Sequence, residues 1–188
     1  MNIMSQIPLM VDLSGQRAVV VGGGTVAARK VSALLEAGAS ITVIAPEASA
    51  FLREQAEQGM IDWCRKLFDP GDLNEAWVVV AATDSPEVNR RVAACVQPRQ
   101  LVTVVDQPRF GNFHIPARLR RGRLVLAVST MGASPVLAKK IRDELSERYD
   151  ETWEAKLDQL YQERERIKRS GWSPEEKRKR LKGLVKGL

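Results

Sequence analysis

Three consecutive glycines end a short apolar stretch near the N-terminus, and their spacing is that of a dinucleotide cradle. Gly22, Gly23, Gly24, Thr25, Val26 and Ala27 form a Gly-x-Gly-x-x-Ala run directly after Arg17 to Val21. If a strand precedes the run and a helix opens with it, the first glycine permits the tight turn and the second lets backbone approach a pyrophosphate. The small Ala27 then lets helix and strand pack closely, and the helix N–H groups face the anion. The other reading is a tight strand-to-helix turn with no ligand. Ala45, Pro46 and then Glu47 stand where an acidic residue usually ends the second strand and bonds the adenosine ribose. The nearest arginine able to meet a 2′-phosphate is Arg53, so NAD is favoured over NADP. Thr83 and Asp84, at the end of a further apolar run, either line the nicotinamide side or form a polar turn with Ser85 as a helix cap.

A second group of residues points to an anionic substrate. Asp106 ends another apolar run, and from Gln107 to Arg142 there is no acidic residue. Arg109, Arg118, Arg120, Arg121, Arg123, Lys139, Lys140 and Arg142 all fall in that stretch. Arginine forks bind carboxylates bidentately, so the stretch suits a polycarboxylate, although each arginine taken alone is equally well a surface residue. Asp106 is the best candidate general base; its alternative is a strand-end aspartate that starts a turn. His114, the sole histidine, could shuttle protons or touch a metal, but no cluster with metal-ligand spacing accompanies it. Ser129 and Thr130 begin a loop into Ser134-Pro135, a helix start whose N–H groups could meet an anion.

The elements that position these residues alternate. Strands are expected at 17–21, 40–45, 61–65, 77–82 and 101–105, with helices from Thr25 to the Gly38 stop, from Ala48 to Gln58 and from Pro86 to Val96. This predicts an α/β fold, a Rossmann-type doubly wound parallel sheet. After Asp106 the alternation breaks. Residues 109–115 read as loop, 124–129 as a strand, and Ser134-Pro135 caps a helix. Two closing helices follow, one with Trp153, Leu157, Leu160 and Tyr161 on its apolar face, the other opening at the capping box Ser173-Pro174-Glu175-Glu176. The expected division is a dinucleotide-binding domain over 1–112, a smaller α+β dimerisation and substrate segment over 113–149, and a C-terminal helical region over 150–188. The later segments are small for an independent core, and dimerisation would cover their apolar stripes.

Composition agrees with a soluble globular protein of 188 residues. It has no signal-peptide pattern and no apolar run long enough for a membrane span. Cys64 and Cys95 have neither paired nor metal-site spacing, which fits a reducing cytoplasm. The net charge of +6 is a property of the tail: residues 164–188 carry ten Lys/Arg against three Glu. A solvated helix face explains such a tail better than nucleic-acid binding does, since no helix-turn-helix is visible and Trp172 is its only aromatic residue.

Four stretches taken together carry a family resemblance: Val-Val-Gly-Gly-Gly-Thr-Val-Ala-Ala-Arg-Lys at 20–30, Ala-Ala-Thr-Asp at 81–84, Val-Val-Asp at 104–106 and Ala-Val-Ser-Thr-Met-Gly-Ala-Ser-Pro at 127–135. The chain resembles the precorrin-2 dehydrogenase/sirohydrochlorin ferrochelatase family of sirohaem biosynthesis from about Met10 to Tyr149, and the C-terminal helices match only in being helical. The resemblance implies oxidation of precorrin-2, which bears eight carboxylates, to sirohydrochlorin with NAD. In bifunctional members it also implies insertion of Fe²⁺ as a substrate. It implies that Asp106 is the base, that Thr25, Val26, Pro46 and Glu47 contact the cofactor, and that the protein is a homodimer. Thr130 stands where some relatives carry a phosphorylatable serine. The methyltransferase domain of some relatives is not expected here, so precorrin-2 would come from a separate enzyme. The competing readings are a dehydrogenase without chelatase activity, a dehydrogenase for another polycarboxylate, and a non-catalytic NAD sensor.

Overall fold

The computed structural model describes residues 6–186. Five short strands, β1 (Arg17–Val21), β2 (Ser40–Ile44), β3 (Asp62–Cys64), β4 (Val78–Ala81) and β5 (Leu101–Val104), pair in parallel in the order β3-β2-β1-β4-β5. Parallel strands need crossovers, and these are α1 (Thr25–Leu35), α2 (Ala50–Glu57), a 3-10 turn at Pro70–Leu73 and α3 (Pro86–Ala94). All lie within the spans expected from sequence except the 3-10 turn, which Asp69 and Asp72 close as a capping box.

Strand periodicity explains why both faces are covered. Ala18, Val20, Val43, Val78 and Val80 pack with Ala27, Val31 and Leu34 of α1 and Leu52 of α2, all buried. The alternate residues Val19, Val21, Val79, Ala81, Val102 and Val104 pack with Leu73 and with Val92 of α3 on the other face. A sheet buried on two sides reads as near-continuous Val, Ile and Ala, and β1 and β4 are written that way.

The glycine run is where this sheet sets a hard steric limit. Gly22 has φ +127°, and a Cβ there would sit 2.2 Å from the Ala82 carbonyl oxygen on the neighbouring strand end. Gly22→Ala is therefore expected to cost about 1–3 kcal/mol through overpacking and backbone strain. Chemical denaturation would show a lower midpoint at an unchanged slope, and a wild-type midpoint would refute the close approach.

From Ile115 the chain forms a second compact unit. Strands β6 (Ala117–Arg121) and β7 (Leu124–Val128) pair antiparallel, and α4 (Pro135–Arg148), α5 (Thr152–Arg169) and α6 (Pro174–Gly183) follow. β6 is not foreseen by sequence, because Ala-Arg-Leu-Arg-Arg offers a single large apolar residue, the buried Leu119, to the period-2 pattern. Gly122, at φ +53°, closes the two-residue connection to β7. The expected caps are in place: Ser134 accepts from the Leu137 N–H, and Ser173 and Glu176 form the reciprocal box that opens α6. The backbone and hydroxyl donors of Ser173 hold the Glu176 carboxyl below the usual carboxylate range. Its contribution to α6 is thus present above the unfolded carboxyl's pKa and is lost as pH falls through the lowered folded value.

Candidate functional site

The carboxyl ends of β1 and β4 lie side by side where the winding of the sheet reverses, with β2 and β3 to one side and β5 to the other. Open α/β sheets bind ligands in the crevice at such a switch point. The loop after β1 is clamped from both sides. The Gly22 N–H donates to the Ile44 carbonyl at 3.0 Å, the Ser49 N–H donates to the Gly23 carbonyl at 2.8 Å, and a Cβ on Gly23 would lie 1.8 Å from the Glu47 carbonyl oxygen. Pro46 and Glu47 are exposed on that adjoining loop.

Gly24 differs from its two neighbours. It is exposed, its φ is −79°, and a Cβ there would meet nothing within 4 Å. Packing within the chain requires glycine at 22 and 23 but not at 24. Gly24 is also the N-cap of α1, so no side chain caps the helix, and the first turn holds no acidic residue. The first-turn N–H groups at Thr25 and Val26 therefore face the cradle without a competing carboxylate. These features fit a dinucleotide pyrophosphate.

The loop after β4 and the end of β5 are joined by one buried amide. Asn89 of α3 accepts from the Thr83 N–H at 3.0 Å and from the Thr83 hydroxyl at 2.8 Å. Its Nδ2 donates to the Thr83 carbonyl and to Asp106 Oδ1, each at 3.0 Å. Thr83 also accepts at its Oγ1 from the Ser85 N–H, and Ser85 caps α3 by accepting from Val88. Asp84 is exposed beside them. The polar-turn reading of this loop is thus realised, and the same turn stands at the carboxyl edge of the sheet. Asp106 is exposed, with Gln107 Nε2 3.4 Å from its second carboxylate oxygen. A carboxylate that is fixed yet open to solvent can take a proton from a bound molecule.

The remaining substrate-side candidates are distributed over both units. Arg109 lies in a 3-10 turn with its guanidinium 4.9 Å from the Phe110 ring centroid, and His114 is the exposed last residue of the first unit. Arg118, on β6, and Ser129 and Thr130, after β7, belong to the second unit. Ser129 Oγ accepts from the Met131 N–H at 3.1 Å. Thr130 Oγ1 accepts from the Ser134 N–H at 3.1 Å and donates to the Ser134 carbonyl at 2.9 Å. Both hydroxyls shape the turn in which Met131 takes a φ of +52°. The basic stretch also divides. Arg121 pairs with Glu151, Arg123 with Asp158, Lys140 with Glu144 and Arg142 with Asp143, so these four serve the unit's own surface. Among the described residues, no group of three or more His, Cys, Asp or Glu could hold a metal ion, and no helix is long and apolar enough to cross a membrane.

Known proteins share this arrangement over nearly the whole chain. A family model described as "Putative NAD(P)-binding" matches residues 9–117, and one described as sirohaem biosynthesis protein central matches 121–148. The precorrin-2 dehydrogenase of Priestia megaterium is 40% identical over 177 residues, which is 94% of this chain and 88% of that protein. The precorrin-2 dehydrogenase of Bacillus subtilis (strain 168) is 32% identical over 84% of this chain and 98% of its own length. The solved structure of SirC, precorrin-2 dehydrogenase, superposes with a TM-score of 0.84 at 39% identity, covering 96% of this chain and 89% of that one. The chain belongs to the precorrin-2 dehydrogenase family.

Larger proteins contain the same module: the siroheme synthase of Methylobacillus flagellatus is 42% identical over 74% of this chain, which spans 30% of that protein. For this member of the precorrin-2 dehydrogenase family, Asn89, whose amide joins Thr83 to Asp106, is the residue at this edge of the sheet that sequence reading misses. The available signal is a polar residue on the buried stripe of α3, three positions before the core residue Val92.

Proposed function

We propose that the protein oxidises precorrin-2 to sirohydrochlorin with NAD in sirohaem synthesis. The observation that carries this reading is the end-to-end match to proteins named precorrin-2 dehydrogenase, 94% of this chain against 88% of the Priestia megaterium protein. The site geometry supports it. When bound, NAD supplies the hydride acceptor. Gly22, Gly23 and Gly24, with the N–H groups of Thr25 and Val26, would hold its pyrophosphate. Pro46 and Glu47 would contact it after the second strand, and Thr83 and Asp84 would line the nicotinamide side. Asp106 accepts the proton that precorrin-2 loses alongside the hydride. The candidates for contact with substrate carboxylates are Arg109 and His114 in the first unit and Arg118, Ser129 and Thr130 in the second.

The protein acts in the cytoplasm as a homodimer in this reading. Support for the dimer comes from the second unit, where Val136 and Leu137 of α4 are 78% and 47% exposed and Val125 of β7 is 38% exposed.

The test is anaerobic incubation of the purified protein with precorrin-2 and NAD, then with NADP in its place, followed by Fe²⁺. Formation of reduced nicotinamide together with the sirohydrochlorin spectrum is expected with NAD. Neither signal, with NAD binding intact, would refute the reading. Metal insertion above an enzyme-free iron control would assign chelatase activity as well.

A further inference from the structure

We propose that Asn89 is a positioning residue for the Asp106 base. Asn89 is completely buried, and all of its amide capacity is used. Closing the turn after β4 accounts for the three bonds to Thr83. The fourth reaches Asp106, on a different strand end and 17 residues away in sequence. A strand-end aspartate whose side chain is exposed would otherwise sample several rotamers. The amide N–H on Oδ1 selects one of them and leaves Oδ2 with only the long 3.4 Å approach of Gln107 Nε2. Because the same amide holds the Thr83 backbone, the base and the nicotinamide-side loop are set at a fixed separation.

This assignment rests on the proposed oxidation, and the experiment separates the two. Asn89→Asp is isosteric and keeps the acceptor toward Thr83, but it turns the donor shared by Asp106 and the Thr83 carbonyl into a second carboxylate oxygen. Misplacing a reacting group by roughly 1 Å costs about 100-fold. In the precorrin-2 and NAD assay, Asn89→Asp is therefore expected to lower kcat by about 10–100-fold with both KM values within about threefold of wild type. Combined with Asp106→Asn, it is expected to add no further loss, because the two residues act as one unit. The pair would also recover the part of the thermal stability that the contact between positions 89 and 106 carries, because the amide introduced at 106 can donate to the carboxylate introduced at 89, while the Thr83 carbonyl stays without its donor. Asn89→Ser, too short to reach Asp106, serves as a second variant and should show the same split.

Full kcat in either folded Asn89 variant, with an active wild type, would overturn the positioning role and leave the oxidation standing. A loss that multiplies with that of Asp106→Asn would overturn it too, since Asn89 would then act elsewhere. Failure of both variants to fold would make Asn89 a structural residue and end the proposal. No turnover by the wild type would remove the functional reading and this one with it.

Discussion

Gly24→Asp is expected to stay folded and lose NAD. The two halves of that result have separate physical causes. Folding is spared because Gly24 has an ordinary negative φ, is exposed, and an added Cβ meets nothing within 4 Å. Aspartate is, moreover, a favoured N-cap, and its charge complements the positive end of α1. The thermal midpoint should therefore equal the wild-type value or rise slightly. Binding is lost because the new carboxylate occupies the cradle and takes the first-turn N–H groups that the pyrophosphate needs, while repelling the anion. The dissociation constant for NAD, read by calorimetric titration, should rise at least about 100-fold, equivalent to roughly 2.7 kcal/mol. Unchanged affinity in a folded variant would remove the pyrophosphate from this loop. The contrast with Gly22→Ala is informative: of two glycines two positions apart, Gly22 is required by the fold, and Gly24 is expected to be required by the ligand.

The second large effect is expected at Asp106. Asp106→Ala should lower turnover of precorrin-2 by about 10²–10⁴-fold, the usual contribution of a positioned general base, while NAD still binds with near wild-type affinity. Removing the carboxylate strands one N–H of buried Asn89, a loss of about 1 kcal/mol or more in stability. Asp106→Asn, which can still accept from Asn89, should be as inactive but more stable. Steady-state rates and NAD titrations on both variants decide the matter. Undiminished rates in either variant would assign proton removal to another group.

How much of this was legible in the residues depends on the range of the interactions. The parallel strands and their crossovers were legible because β1 and β4 are continuous apolar runs bounded by glycine or by Ser85-Pro86, all local signals. The tight glycine turn after β1 was legible because its spacing reports contacts with the next strands, and Gly22 and Gly23 do press on the Ala82 and Glu47 carbonyls. β6 was not, since its arginines hide the alternation and its pairing with β7 supplies what propensity lacks. The sorting of the basic stretch was hidden for a related reason. The partners of Arg121 and Arg123 are Glu151 and Asp158, brought near only when α5 packs beside the hairpin. Asn89 was hidden because one polar residue on a helix stripe gives no hint that its amide spans two strand ends.

The most direct measurement is a single turnover under anaerobic conditions, with enzyme in excess over precorrin-2 and with saturating NAD, counting NADH and sirohydrochlorin together. The account predicts that the two appear at the same rate and in equal amounts, and that neither forms with Gly24→Asp. Sirohydrochlorin formed without NADH, or NADH absent while NAD is bound, would contradict it.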